Sequence, residues 1–474
     1  MYRKNTSKIV LYGFLIMGLL SFFSCKNFFN DNTKREARTT VLPVFNLACA
    51  FNVDTGFCEK NHPENMADFH FYSVQKGDKI VFYAKGYEYT FAFYTDEIEE
   101  RFIHTYCYQE EESWTKYSGN LQKESWRTRD YTFKQPGWCR LIVRKKDNTA
   151  LTEQDLNTVK DKVSLQCQKQ KYTPKEYFKA EIAKTADTVN ALRDKDSLVF
   201  GLMTDSHFVI NGGWEDTLYN VQQVNKQAPF DGFIHLGDYT DGMTPVSITK
   251  EYFNNIYADL KTLGIPLYLV LGNHDANYFR NNPGAMTSQE QGEFYLKKDK
   301  PYYYQDFEAQ KLRLIVLYSF DHTQKTQETR YGFPIEEVTW VQQVLDSTPI
   351  DYKVLICSHV PLLAKMHFWS KEIRNSDAMI ATFNSFITRG GTILGFIHGH
   401  NHAEQINNEF AFPIISIGCT KCEDFKDRKP EGSHTYDRQM KTVTQDLWDV
   451  LIVKPKENKL EFVRFGAGED RKCQ

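Results

Sequence analysis

The stretch Leu198-Val199-Phe200-Gly201-Leu202-Met203-Thr204-Asp205-Ser206-His207 carries an apolar run straight into a carboxylate and an imidazole. Six apolar residues are too few for an ordinary helix, so the run reads as a buried strand whose carboxyl end holds polar chemistry. The same design recurs down the chain. Phe233–Leu236 leads into Gly237-Asp238-Tyr239-Thr240-Asp241, Leu267–Leu271 into Gly272-Asn273-His274-Asp275, Val354–Cys357 into Ser358-His359, and Thr392–Ile397 into Gly399-His400-Asn401-His402. Leu312–Tyr318, Phe412–Ile417, Trp448–Val453 and Leu460–Phe465 are further strand runs, while Tyr252, Ile256 and Leu260 recur at helical spacing. Strands alternating with helices predict a layered α/β domain over residues 197–474.

Upstream the texture changes. Short strand-like runs, Lys79–Ala84, Tyr89–Tyr94 and Cys139–Val143, stand between turn residues, so residues 39–170 read as a small all-β sandwich. Trp114, Trp126 and Trp138 in it either fill the core or stack on sugar rings of a surface glycan. Residues 171–196 are charged with Phe178, Ile182 and Ala186 spaced for a helix, which predicts a connecting helix.

Arg3, Lys4 and Lys8 precede the apolar run Ile9–Phe23, the pattern of a secretory signal over residues 1–24. The run is shorter than the roughly 20 residues a spanning helix requires. Ser24-Cys25 resembles a bacterial lipoprotein cleavage site, although Phe22 stands where that pattern has an aliphatic residue. The expectation is an exported protein lipidated on Cys25 at the cell envelope, touching the membrane only through that anchor. A net charge of −3 without long single-sign runs gives no footprint for a stable nucleic-acid partner. With 474 residues, 41% hydrophobic and 25% charged, the chain has material for two soluble domains. Its ten cysteines are scattered; Cys49 with Cys58 or Cys107 with Cys139 are possible pairs, and the lone Cys419-x-x-Cys422 reads as structural thiols.

A single Asp-x-His means little in a chain this long, but five such motifs in order, each closing an apolar strand, point to one site. Carboxylate, imidazole and an amide oxygen suit Mn, Fe or Zn better than Ca or Mg. Two such ions about 3.5–4 Å apart clamp both oxygens of an in-line displacement at phosphorus and make hydroxide available near neutral pH. Gly237, Gly272 and Gly399 precede candidate ligands where the backbone must turn or approach closely.

In that order the motifs resemble the calcineurin-like metallophosphoesterases from Leu198 to His402. The resemblance implies a four-layer α/β fold, a two-sheet β-sandwich flanked by helices. It implies that Asp205, His207 and His402 hold one divalent ion, that Asn273, His359 and His400 hold the other, and that Asp238 bridges them. It makes His274 the residue that contacts the phosphoryl group and protonates the leaving group, with Asp275 as a neighbour able to orient it and Asp241 supporting a ligand or substrate-binding group. The implied activity is hydrolysis of a phosphate mono- or diester by metal-bound hydroxide. The alternative is a surface glycan-binding protein on a non-catalytic scaffold of the same fold, against which the intact ligand set argues. The ending Arg464–Arg471 resembles that of bacterial and phage-borne members; Arg464 and Arg471 read as surface ion pairs or as phosphate contacts.

Overall fold

The computed structural model describes residues 38–51, 58–68, 70, 72–94, 121–123, 125–168, 172–208, 213–242, 246–278, 284–423 and 429–473. The expected leader with Cys25 lies outside these, as do Trp114 and Cys107. Among the described residues no helix is long and apolar enough to cross a membrane.

The front part is built from two antiparallel sheets. One orders Arg38–Val41, Val163–Gln168, Lys79–Phe82 and Tyr131–Thr132; the other orders Phe45–Leu47, Asn65–Asp68, Gly137–Lys145, Tyr87–Tyr94 and Leu121–Lys123, with Tyr72–Val74 also on the long strand. Alternate side chains of the long strands, Tyr89, Phe91 and Phe93 facing Cys139, Leu141 and Val143, fill the space between the sheets with Ile80, Phe82 and Leu165. Trp126 and Trp138 are half-buried and outside this core; the Arg144 guanidinium lies 3.8 Å over the Trp126 ring. Cys139 is a free buried thiol. A short helix, Glu153–Val159, interrupts the strands where none was expected, its start fixed by reciprocal hydrogen bonds between Thr152 and Asp155.

Behind it two mixed sheets lie face to face. The first orders Leu267–Leu269, Gly232–His235, Leu198–Met203, Leu447–Lys454, Lys459–Gly466 and Arg471–Cys473. The second orders Tyr303–Phe307, Leu312–Val316, Lys353–Cys357, Thr392–His398, Ile414–Ser416 and Gln405–Asn407. Strand 198–203 pairs in parallel with 232–235 and antiparallel with 447–454, so the late apolar runs close the first sheet. Leu198, Phe200, Leu202 and Leu451 of one sheet meet Leu314, Val316, Leu355 and Leu394 of the other. Helices Trp214–Gln227 and Val246–Lys261 cover the outer face of the first sheet and Ile335–Asp346 and Ser376–Thr388 that of the second, which gives four layers. Helix Lys179–Leu192 joins the outer layer of the first sheet through Ile182, Ala186 and Val189, and Thr185 donates to the Arg464 carbonyl.

Residues 38–474 form one compact unit. The sandwich meets the α/β part at His70, whose ring lies 2.6 Å from Asp68 and 3.3 Å from Glu251 and packs edge-on to Tyr252. Arg464 and Arg471 are not at the surface. Arg464 is buried between Asp449 and Glu404, and Arg471 contacts the same two carboxylates at 2.6 and 3.1 Å, so the ending closes a four-membered buried ion network.

Candidate metal centre

Every motif loop leaves its strand at the same end of the two sheets, and the polar side chains converge there. Asp205 accepts from Thr204 Oγ at 2.6 Å and from the His400 backbone N–H at 3.0 Å through Oδ2. That leaves Oδ1 facing His402 Nε2 at 3.2 Å, His207 Nε2 at 3.8 Å and His359 Nε2 at 3.9 Å. Asp238 accepts the His274 backbone N–H at 2.8 Å through Oδ1, and its Oδ2 lies 3.1 Å from His359 Nε2 and 3.8 Å from His207 Nε2. Asp238 thus stands between the His207 and His359 sides of the site. Asn273 Oδ1 is 3.0 Å from His359 Nε2, and His400 Nδ1 is 3.3 Å from the same nitrogen.

Proton placement tests whether cations fit this set. His359 Nδ1–H donates to the Leu236 carbonyl at 2.8 Å, so its Nε2 lone pair faces the acceptors Asp238 Oδ2 and Asn273 Oδ1. His402 Nδ1 lies 2.8 Å from Glu423 Oε2 and His207 Nδ1 3.3 Å from Asp241 Oδ1, so a carboxylate stands beside each ring on the side away from the cluster. Their two Nε2 atoms face each other at 3.1 Å. Lone pairs this close repel unless a proton or cation lies among them, and the donor set fits a divalent metal. The titration behaviour agrees. Burial pushes the His359 ring down, but Asp238 and Asp205 override it and raise His359 to about 9. Burial also opposes ionisation of Asp205, yet His402 and His359 hold its carboxyl below the usual range. His207 and His400 are held neutral, first by burial and then by neighbouring imidazoles. Asp205, His207 and His402 form one group able to hold an ion; Asp238, His359 and His400 form another.

His274 belongs to a third such group with His207 and Asp238, although its Nε2 is 3.9 Å from Asp238 and its side chain, 17% exposed, is the most open of the set. Its Nδ1 lies 2.5 Å from the Asp241 backbone carbonyl, which orients the ring. This corrects the expectation for Asp275: both its carboxylate oxygens accept backbone N–H groups, from Asp238, Tyr239 and Gly272 at 2.9, 3.0 and 2.7 Å, so it clamps two loops together and does not face the imidazole. Burial pushes Asp275 up to about 7, with Asp238 adding to the shift. Asp241 supports His207, and burial raises it to about 7 against the pull of Lys421.

Two glycines have a steric reason to be where they are. A Cβ on Gly272 would sit 2.1 Å from Asp238 Oδ1, and one on Gly399 would sit 1.9 Å from Thr204 Oγ.

Sequence reasoning missed three contributors. Glu423 braces His402, and buried Lys421 lies 3.6 Å from Glu423 and 4.0 Å from Asp241. His367 sits behind His400, with 2.9 Å between their Nε2 atoms. A signal for the first two was present: a lysine and a glutamate in the loop four and six residues past the apolar run Phe412–Ile417, interleaved with the cysteines that drew the structural-thiol reading.

Residues 198–404 match the family model described as calcineurin-like phosphoesterase. No curated protein matches the chain. Among solved structures, a dimetal phosphatase from Danio rerio is similar at 17% identity, covering 58% of this chain and 98% of its own, with a TM-score of 0.42. A phosphopantetheinyl hydrolase from Mycobacterium tuberculosis is similar at 12% identity over 48% of this chain and 91% of its own, with a TM-score of 0.31. A protein described as a putative 5'-nucleotidase from Staphylococcus aureus is similar at 13% identity over 58% of this chain and 54% of its own, with a TM-score of 0.33. The motifs that converge on the site all lie inside this matched segment, so residues 198–404 form a calcineurin-like phosphoesterase region of the chain.

Proposed function

We propose that the protein hydrolyses a phosphate ester at a dinuclear centre in which Asp205, His207 and His402 hold one ion, Asn273, His359 and His400 hold the second, and Asp238 serves both. The observation that carries this reading is the position of Asp238 Oδ2 between His359 Nε2 and His207 Nε2. Two bound divalent ions, of Mn, Fe or Zn type by donor chemistry, would supply Lewis acidity and a water acidic enough to attack phosphorus at neutral pH. The protein's own groups do the rest. Asp241 and Glu423 stand beside Nδ1 of His207 and His402, where their charge favours a proton and leaves Nε2 as the donor atom in both. The Asp241 carbonyl orients the His274 ring through Nδ1, leaving Nε2 as the atom that meets the phosphoryl oxygen and passes a proton to the leaving group.

The test is hydrolysis of a chromogenic phosphomonoester and its matched diester by the mature protein, with Mn added and with chelator. Chelator-sensitive turnover is the expected result; no turnover of either ester by protein verified to hold two metals would refute it. The basic-then-apolar pattern of residues 1–24, followed by Cys25, supports export and a lipid anchor at the cell envelope. Metabolic labelling with a fatty-acid analogue, lost on Cys25→Ala, tests that part.

A further inference from the structure

Beside the candidate centre, the segment between strand Lys353–Cys357 and helix Ser376–Thr388 holds two aromatic residues that the core does not use. Met366, His367 and Ser370 are buried, whereas Trp369 is half-buried and Phe368 is 40% exposed. The rings of Phe368 and Trp369 meet edge to face at 5.2 Å, and neither belongs to the core cluster beneath them. Trp369 lies 4.9 Å from the His400 ring and 6.5 Å from the His402 ring, centroid to centroid. It therefore borders both proposed ion sites.

The segment is tied to the centre rather than left to move independently. The Ser370 N–H donates to His367 Nδ1 at 2.6 Å while His367 Nε2 meets His400 Nε2 at 2.9 Å. Asn401, between the two ligand histidines, donates to the Met366 carbonyl at 2.5 Å, and Ser376 Oγ donates to the Leu362 carbonyl at 2.6 Å. Of the loop's two lysines, Lys365 is engaged by Glu409 and Lys371 is exposed. The two rings thus form an uncharged face held in register with the His400–His402 pair.

We propose that Trp369, with Phe368 bracing it, is a stacking platform for the leaving group, and that the substrate is a phosphoester whose leaving group carries a planar aromatic ring, as a nucleotide does. This rests on the phosphoesterase reading above. A group departing from phosphorus held at the centre must extend past the site's edge, and at the His400–His402 edge it meets the ring faces of Trp369 and Phe368. Such a surface selects flat rings over compact polar groups.

The test separates base from sugar and phosphate. Binding of adenosine 5'-monophosphate and of ribose 5-phosphate to Mn-loaded full-length protein is measured by calorimetry. The expected result is that the nucleotide binds about tenfold or more tightly than the sugar phosphate, the size typical of one base stacked on one aromatic side chain. Trp369→Ala brings the affinity ratio to about one and Trp369→Phe retains most of it. A ratio near one in the wild type, a ratio unchanged in Trp369→Ala, or no nucleotide binding overturns the proposal. Hydrolysis of the chromogenic esters is scored separately: its absence refutes the enzymatic reading, whereas the base preference alone decides the platform.

Discussion

Replacing Arg464 by Met tests whether the C-terminal hairpin locks the loop carrying His402. The Arg464 guanidinium donates to Asp449 Oδ1 at 2.9 Å, to the Ala467 carbonyl at 2.6 Å and to Glu404, and it is buried with both carboxylates. Methionine fills much of the volume but supplies no charge, leaving Arg471 as the one guanidinium shared by Asp449 and Glu404 among the described residues. Breaking a buried ion pair from one side costs about 3–5 kcal/mol, since the remaining charge stays desolvated. At about 2.1 cal/mol/K of unfolding entropy per residue, a unit of this size unfolds with about 0.9 kcal/mol/K, so Tm should fall by about 3–5 °C. The assay is scanning calorimetry of wild type, Arg464→Met, Glu404→Gln, and the two substitutions combined. Neutralising Glu404 removes one orphaned charge, so the double variant should be more stable than the single. A fall under about 1 °C in the single variant, or a double variant lower still by the full cost of Glu404→Gln alone, would refute the uncompensated-charge argument.

Asp238→Asn should leave less than one metal per chain by elemental analysis, because Asp238 faces both ligand groups; two per chain would remove it from the bridging role. His274→Ala should keep the metal content and lower turnover about 10²–10⁴-fold, the usual worth of a positioned proton donor, whereas loss of metal would make His274 a ligand. Glu423→Ala should weaken metal affinity about 10–100-fold in a chelator competition, since His402 loses the carboxylate beside its Nδ1; unchanged affinity would make that contact incidental. Burial lowers the His70 pKa, but Asp68 and Glu251 outweigh it and raise the ring to about 9, above its ordinary 6.5. Its contribution to stability is therefore fully present below about pH 6.5 and lost as pH rises through about 9. The wild type should lose more Tm than His70→Gln across that window, and parallel curves would contradict the pairing.

The ligand loops were legible because each is written locally, as an apolar strand, a turn glycine, serine or threonine, and then a ligand, so contiguous residues carry both the structure and the chemistry. What stayed hidden is non-local. Arg464 alternates with apolar neighbours in Leu460–Phe465 and looks like an outward-facing residue; only the closure of the first sheet places Glu404, 60 residues earlier, on top of it. The pairing of Glu423 with His402 has the same character, joining the loop after one strand to the loop after another. Asp275 was misread because adjacency to His274 in sequence suggested contact, whereas the short helical turn His274–Ala276 directs its carboxylate back toward the Asp238 loop.

The backbone at the site supplies an argument that the side chains alone do not. Asp205, His207, Asp238, His400 and His402 have φ of 50°, 38°, 55°, 69° and 53°. Residues with a Cβ rarely adopt this left-handed conformation, at a cost of about 1–3 kcal/mol each. Glycine would relieve it at every one of these positions and would delete a ligand in doing so. The strain is held by hydrogen bonds between the loops: Asp205 N–H to the Gly237 carbonyl at 3.0 Å, His207 N–H to the Asp238 carbonyl at 3.0 Å, and Lys421 N–H to the Asp205 carbonyl at 3.2 Å. Those loops are anchored in turn by the buried sheets that precede them. The geometry of the donors is therefore set by the fold, and the two sheets are what make a cluster of mutually repelling lone pairs available to a pair of cations.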